Sequence, residues 1–327
     1  MIWNYCTLFD SVYLSRGLAM YESLLACSDE FHLYIFPFDK ISFKILQELH
    51  LRNATVVSLN EFETPELLEV KPGRSKAEYC WTCTPSVISF LFNEYKVTNC
   101  TYLDADLIFY SDPSVLIYEM VENKKNVLIT EHRFSPLAKL YEEKRAGRFC
   151  VQFVTFLNET DSLEILEKWR LQCIEWCYAR HEDGKFGDQK YLDEWPQEYK
   201  NIHILQHKGG GIAPWNLQQN VYNFNGKTIL GIVNKTGYSF EVIFYHFQYV
   251  KFLKNGYYDI GWYLITTQLR NLFYIPYIKK IEEIEERLMG TDSGYKTFFS
   301  EFNSDGIKNM VKSGFKKVFG YNILKIK

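Results

Sequence analysis

The chain has 327 residues and a formal net charge of −3, with 47% hydrophobic and 24% charged residues. That composition excludes a disordered chain, argues against a chain-wide nucleic-acid footprint, and is long enough for one large domain with an appendage or for two domains. Aromatic residues reach 17%, with 24 Tyr, 25 Phe and 7 Trp; most serve a core, and flat rings also stack on bases and sugar faces.

In chain order, residues 2–8 (IWNYCTL) read as a strand and 12–25 as a helix. Residues 31–36 (FHLYIF) predict a second strand, 39–50 a helix, and 54–59 (ATVVSL) a third strand. A helical stretch follows Pro85, and then TYLDADLIFY runs from a strand into a loop. Segments 126–130 and 151–157 are further strands. Asp161 and Glu164 give a capping-box start to a helix reaching about Arg180, with Leu163, Leu166, Trp169, Cys173 and Trp176 on one face. Residues 202–216 hold a strand, a glycine loop and Pro-Trp-Asn, and 241–250 (EVIFYHFQYV) form a last strand. Strands alternating with helices at this spacing predict an α/β fold with a mainly parallel sheet. Beyond about 257 the composition changes to helices and a lysine-rich tail, so the expected division is 1–256 and 257–327.

The opening residues carry no basic region before Asp10, and no apolar stretch is long enough to span a membrane. The eight cysteines lie mostly in apolar segments and read as reduced thiols of a cytoplasmic protein. Cys80, Cys83, Cys173 and Cys177 offer a four-thiolate zinc site as a minor alternative to packing. From Ile307 to Lys327 the tail has six lysines and no acid. Lys308, Lys312 and Lys316 share one helical face, and Ile307, Val311, Phe315 and Val318 another. A basic amphipathic helix of this kind suits either docking on the protein or peripheral contact with an anionic membrane.

The sharpest chemical signal is Asp104-Ala105-Asp106 after an apolar strand. In open α/β sheets the ligand crevice lies beyond the carboxyl ends of the strands. Two carboxylates at i and i+2 of extended backbone share a side and repel unless a cation joins them, and hard oxygen ligands suit Mn²⁺ or Mg²⁺. His246, in Phe244-Tyr245-His246-Phe247, offers a nitrogen ligand on a late strand. His207 opens a glycine loop, His207-Lys208-Gly209-Gly210-Gly211, whose backbone can approach an anion or sugar closely. Phe186-Gly187-Asp188-Gln189 places a carboxylate and an amide after a glycine, where Asp188 serves either a site or a helix N-cap.

Together these strings resemble the GT-A glycosyltransferases, nearest to glycosyltransferase family 8 and related bacterial capsule and lipopolysaccharide transferases, over roughly residues 1–255. YLDAD matches that family's metal-binding motif, FGDQKYLDEWP its Asp-Gln motif, RSKAEYCWTCTP its Ser-x-Ala-x-Tyr helix, and RFCVQFVTFLN its Phe-Asn-x-Gly strand. The resemblance implies a metal-dependent transfer of sugar from a nucleotide-diphosphate sugar, with UDP expected, to a glycan or lipid-linked acceptor, with retention of configuration. It implies metal ligands Asp104, Asp106 and His246, and nucleotide contacts from Phe9, Asp10, Tyr13, Arg74 and Asp104. Catalytic roles fall to Asp188 and Gln189. Sugar or acceptor contacts fall to Glu131, Gly210, Gly211, Trp215 and Asn216; the family's lysine is absent at the expected offset, and Lys251 or Lys208 is expected to face phosphate in its place. His207 matches the family's His-x-x-Gly-x-x-Lys-Pro-Trp string by letters at Gly210, Pro214 and Trp215, with Ala213 in place of the lysine, whereas His246 matches by order and by its strand, and is preferred. Three departures stand out: Trp81 replaces an arginine, and Cys150 and Gln152 replace Asn and Gly. The rival readings are a haloacid-dehalogenase-type phosphatase, which also opens on Asp-x-Asp, and a carbohydrate-binding protein without turnover.

Overall fold

The structure, a computed structural model, describes residues 2–290, 294–300, 316 and 320–326. The chain divides into two compact units, Met1–His246 and Phe247–Lys327.

In the first unit β1 (Trp3–Phe9), α1 (Leu14–Cys27), β2 (Phe31–Pro37), α2 (Lys40–Glu48) and β3 (Ala54–Val56) follow one another. Next come α3 (Lys76–Phe90), β4 (Asn99–Leu103), β5 (Leu107–Phe109), α4 (Ser114–Glu122) and β6 (Val127–Glu131). α5 (Pro136–Ala146), β7 (Phe149–Leu157), α6 (Thr160–Glu175) and β8 (Ile202–Ile204) complete the layer. The sheet order is β3-β2-β1-β4-β7-β6-β8. Strands β3, β2, β1 and β4 are mutually parallel, and β7 runs antiparallel to both its neighbours. Because the central strands are covered on both faces, they read as apolar runs: in β1 and β2 all but one residue each is buried. Edge-to-face rings of Phe36, Phe62 and Phe90 fill one part of the core, and Phe156, Trp169 and Trp195 another.

Several expected boundaries move, for local reasons. α3 begins not after Pro85 but at Ser75, whose side chain and that of Glu78 form a reciprocal capping box. Pro85 lies inside the helix, where its fixed φ is tolerated and one backbone donor is lost. α6 is capped by Glu159 and Ser162 rather than by Asp161 and Glu164, and it stops at Glu175. Its last turn is closed by Arg74, which donates to Ile174 O at 2.9 Å. The expected strand 241–250 shortens to β12 (Phe244–His246). Before it, β9 (Asn220–Phe224), β10 (Ile229–Val233) and β11 (Ser239–Glu241) form a small antiparallel sheet that the sequence reading omitted. Its turn signal was Asn225-Gly226: Asn225 Oδ1 accepts from the N–H groups of Lys227 and Thr228.

The second unit is not helical alone. α7 (Ile275–Met289) buries Tyr277, Ile278, Ile281, Ile284 and Leu288, spaced at helical period. β13 (Lys251–Leu253), β14 (Tyr257–Asp259) and β15 (Ile323–Lys325) form an antiparallel sheet. The tail is not a single helix. Ile323–Lys325 is strand rather than helix, and Lys316 is buried against Asp259 and Gly261 O instead of being solvated. Residues 307–315, 317–319 and 327 of that tail lie outside the described residues. No helix among the described residues is long and apolar enough to cross a membrane.

Candidate active site

The site grows from the carboxyl edge of the sheet. β1 and β4 are parallel neighbours, and the strand order runs outward from them in opposite directions, which opens a crevice at their carboxyl ends. Asp10 follows the end of β1, and Asp104 follows the end of β4. The chain then turns through Ala105 and Asp106 into β5. β5 pairs antiparallel with β12, which sets His246 opposite Leu107. A third support comes from the glycine loop: Gly209 O accepts from Ile243 N, and Ile212 O from His246 N. The register of β4, β5 and β12 therefore brings two acids and a histidine together across 140 residues of sequence.

His246 Nε2 lies 3.0 Å from Asp106 Oδ1 and 3.7 Å from Asp104 Oδ2. Donors on adjacent positions of one cation, each about 2.1 Å from it, stand roughly 3 Å apart, so this spacing fits a divalent ion. His246 Nδ1 donates to Gln152 Oε1 at 2.8 Å, which fixes the ring and leaves Nε2 to face the carboxylates. The Trp215 ring stands edge-on to the imidazole at 5.4 Å. Asp104, Cys150 and His246 each offer a ligand atom within 4.8 Å of the others.

The electrostatics suit a cation. Burial, reinforced by the like charge of Asp106, pushes the Asp104 carboxyl up to about 6 against the pull of His246. Burial would also raise Asp106, but His246 and Arg16 outweigh it and hold that carboxyl below the usual range. Burial would lower His246, yet Asp106 and Asp104 hold its imidazolium well above the ordinary range. Asp188 is 5% exposed, and burial together with the charge of Asp104 pushes it up to about 7 against a hydrogen bond from Thr84. Asp106 and Asp188 are buried and Asp104 half-buried, and three carboxylates gathered in this way favour a bound positive ion.

The other expected residues distribute as follows. Asp10 Oδ1 accepts from Val12 N and turns the chain into α1. Tyr13 is 40% exposed with Arg16 over its ring, whereas Phe9 is buried. The Phe9 ring fills the space where any Cβ on Gly17 would stand, 2.3 Å away. Arg74 serves the end of α6 and stacks on Tyr178 at 3.8 Å, with its Nε and Nη1 buried and without a hydrogen-bond partner among the described residues. Gln189 Nε2 donates to Ala146 O at 2.6 Å. Asp188, expected either in a site or as a helix cap, makes no side-chain cap bond to the short helix that follows it. Glu131 pairs with Arg148. Gly210 packs on Leu116 and Leu205, and Gly211, at φ +81°, abuts Thr130 and Gln152. Trp215 Nε1 and Asn216 Nδ2 both donate to His132 O, and Asn216 also spans Gly211 O and Ala213 N, so its amide holds the loop. Lys251 belongs to the second unit, over the ring of Tyr249. His207 accepts from Gly209 N through Nδ1 and so closes its own loop. The zinc alternative is not assembled: among the described residues Cys80, Cys83, Cys173 and Cys177 form no metal-binding group.

Sequence reasoning left Cys150, Gln152, Thr84 and Arg16 without roles at this centre. The signal for the first two was available. Cys150 and Gln152 are an i, i+2 pair in the apolar strand FCVQFVTFL, hence on one face. β7 is antiparallel to β4 with Leu103 opposite Phe153, so that face lies level with Asp104. Asp104 N donates to Gln152 O at 3.2 Å.

No family model matches the chain. Over 302 residues it is 29% identical to the uncharacterized protein YfnD of Bacillus subtilis (strain 168), covering 90% of this chain and 94% of that protein. It is likewise 29% identical over 252 residues to the uncharacterized protein YfnF of the same organism, covering 74% and 80%. Among solved structures it is similar to the galactosyltransferase LgtC in complex with donor and acceptor sugar analogs. That likeness has a TM-score of 0.50 at 10% identity and covers 86% of this chain and 95% of that one. An active-site mutant of LgtC gives 0.51 with the same coverage. The fold is therefore that of the GT-A glycosyltransferases, as the sequence resemblance implied. The phosphatase alternative loses its premise, since its Asp-x-Asp sits near the start of the catalytic domain whereas here the motif follows the fourth strand.

Proposed function

We propose that the protein is a metal-dependent glycosyltransferase that moves a sugar from a nucleoside-diphosphate sugar, with UDP as carrier, to a glycan or lipid-linked acceptor, with retention of anomeric configuration. The observation that carries this reading is the convergence of Asp104, Asp106 and His246 at the carboxyl edge of the sheet, beside the buried acid Asp188. The likeness to a galactosyltransferase captured with donor and acceptor analogs supports it.

Asp104, Asp106 and His246 hold a divalent cation, manganese or magnesium being the ordinary choice for such ligands. When bound, the cation supplies positive charge against the diphosphate that leaves the anomeric carbon. Gln152 keeps the His246 ring oriented through Nδ1. Asp10 and Tyr13, at the end of β1, take the ribose and base. Asp188 faces the donor sugar from the opposite wall, held by Thr84. Trp81 lines the same wall: its ring is 3.5 Å from where a Cβ on Gly187 would stand. An indole in place of the family's arginine gives the donor sugar an apolar face to stack on rather than an ion to pair with. With Asp188 held by Thr84 in that wall, attack by the acceptor proceeds on the face the leaving group departs from, and the departing phosphate takes its proton.

The test is release of nucleoside diphosphate from a panel of UDP-, GDP- and dTDP-sugars with Mn²⁺. The expected result is UDP release from at least one UDP-sugar, lost in Asp104→Asn. Absence of both binding and turnover across the panel with Mn²⁺ present would refute the reading. Tight binding without any release, with or without acceptors, would favour a carbohydrate-binding protein.

A further inference from the structure

The buried cysteines of the described residues do not all live alike. Cys6 and Cys100 face each other at 3.5 Å, Cys173 lies against Cys177, and Cys83 lies against Tyr79. Each of these thiols has a soft or aromatic neighbour, as a packing cysteine should. Cys150 differs: its sulfur lies within 4.8 Å of a carboxylate oxygen of Asp104 and a ring nitrogen of His246. It is 5% exposed, so the residue has little contact with water.

The backbone around it is shaped for that position. β6 and β7 change register here: Leu128 faces Thr155, yet Thr130 faces Cys150, so β7 carries extra residues between them. Bulges of this kind re-aim side chains and recur beside active sites. Thr130 Oγ1 spans the irregularity to Phe153 O at 3.1 Å. The consequence is a division of labour along one face of β7. Gln152 binds Nδ1 of His246, while the Cys150 sulfur lies within reach of the imidazole and of the Asp104 carboxylate.

We infer that Cys150 is a further ligand of this metal centre, adding a thiolate to the oxygen and nitrogen donors and shifting its preference toward thiophilic divalent ions such as zinc and cobalt. The inference rests on the metal-binding part of the reading above and is independent of sugar transfer. Sulfur binds borderline-soft ions far better than magnesium or manganese, whereas an amide at the same place would not discriminate. On coordination the thiol proton passes to solvent and the sulfur lone pair forms the metal bond.

The probe is Co²⁺ alone, added to the full-length, metal-stripped, reduced protein without nucleotide. The expected spectrum shows one equivalent of Co²⁺ with an intense near-ultraviolet thiolate-to-cobalt charge-transfer band. Cys150→Ser should remove that band while still binding Co²⁺, lowering Zn²⁺ affinity at least about tenfold and Mn²⁺ affinity less than about threefold. Cys27→Ser should keep the band, and Asp104→Asn should weaken every ion. If Cys150→Ser does not fold, the wild-type spectrum and Asp104→Asn decide the matter. A bound cobalt without the band, a band that survives Cys150→Ser, or no cobalt binding at all would overturn the inference. Because no sugar donor is present, such a failure is distinguishable from failure of the transferase reading, which is measured by UDP release with Mn²⁺.

Discussion

A glycine loop that follows β8 and the short strand β12 each carry a histidine, and they use it in opposite ways. In the loop from Gln206 to Asn216 the polar groups are consumed internally. Glu119 accepts from the N–H groups of Gln206 and His207 and from the His203 ring, His207 Nδ1 accepts from Gly209, and the Asn216 amide bridges Ala213, Gly211 and His132. Around β12 the balance is reversed. His246 spends Nδ1 on the scaffold, and its Nε2 faces Asp106 and Asp104, the second of which burial makes costly to charge. A loop whose groups are satisfied is architecture. A cluster that gathers two carboxylates and an imidazole at the carboxyl edge of a sheet is a place for a ligand.

The comparison breaks most easily at the two histidines. His246→Ala is expected to weaken divalent-metal binding by at least about a hundredfold and to abolish metal-dependent turnover. His207→Ala is expected to change metal affinity less than about threefold and to cost about 1 kcal/mol of stability through the lost loop bond. Calorimetric titration of Mn²⁺ into both variants reads the difference, and equal losses would erase the contrast.

Asp188 sharpens it next. Asp188→Asn should leave Mn²⁺ and UDP affinity nearly unchanged while lowering turnover at saturating donor about a hundredfold, as removal of a contact made in the transition state does. Unchanged turnover would return Asp188 to a purely structural role beside Thr84.

The third test moves the loop itself. A Cβ on Gly209 would stand 1.8 Å from the carbonyl oxygen of Glu241, a backbone atom that cannot rotate away. Gly209→Ala should therefore cost about 2 kcal/mol, read as a lowered denaturant midpoint, and should also loosen β12, because Gly209 O holds Ile243. A variant as stable as wild type would mean that the loop does not brace the histidine strand.

The smallest effect concerns Glu119. Burial alone would raise its carboxyl, but hydrogen bonds from His203, Gln206 and His207 hold it below its ordinary 4.5. A lowered folded value means stability that is present above the unfolded value and lost as pH falls through the folded one. Glu119→Gln should be destabilised by about 1 kcal/mol at pH 7, with the gap to wild type closing below about pH 4.5, as followed by urea unfolding across pH.

Much of this could be read from the chain. Apolar runs alternating with helical periods gave the parallel half of the sheet, because strands covered on both faces must be apolar along their length. Asp104 and Asp106 announced themselves as a like-charged pair at a strand end, and His246 followed from its strand. What escaped depends on register and on distance along the chain. No local pattern says that β7 reverses, so Cys150 and Gln152 looked like departures from a family string rather than neighbours of Asp104. Arg74 read as a cation for phosphate because its carbonyl partner at Ile174 lies 100 residues away. Asn216 read as a ligand contact because the carbonyls that consume it come from a turn and from His132. The lysine-rich tail read as one helix because periodicity cannot foresee that Ile323–Lys325 pairs with β14.

The central claim is that Asp104, Asp106 and His246 bind a nucleoside diphosphate through a shared cation. Calorimetric titration of UDP into the wild-type protein, once with Mn²⁺ and once with EDTA, tests it directly. Asp106, buried, and Asp104, half-buried, repel a diphosphate unless a cation intervenes, so the account predicts binding with Mn²⁺ that weakens at least about a hundredfold in EDTA. Equal affinity under the two conditions, or no UDP binding with Mn²⁺ present, would contradict it.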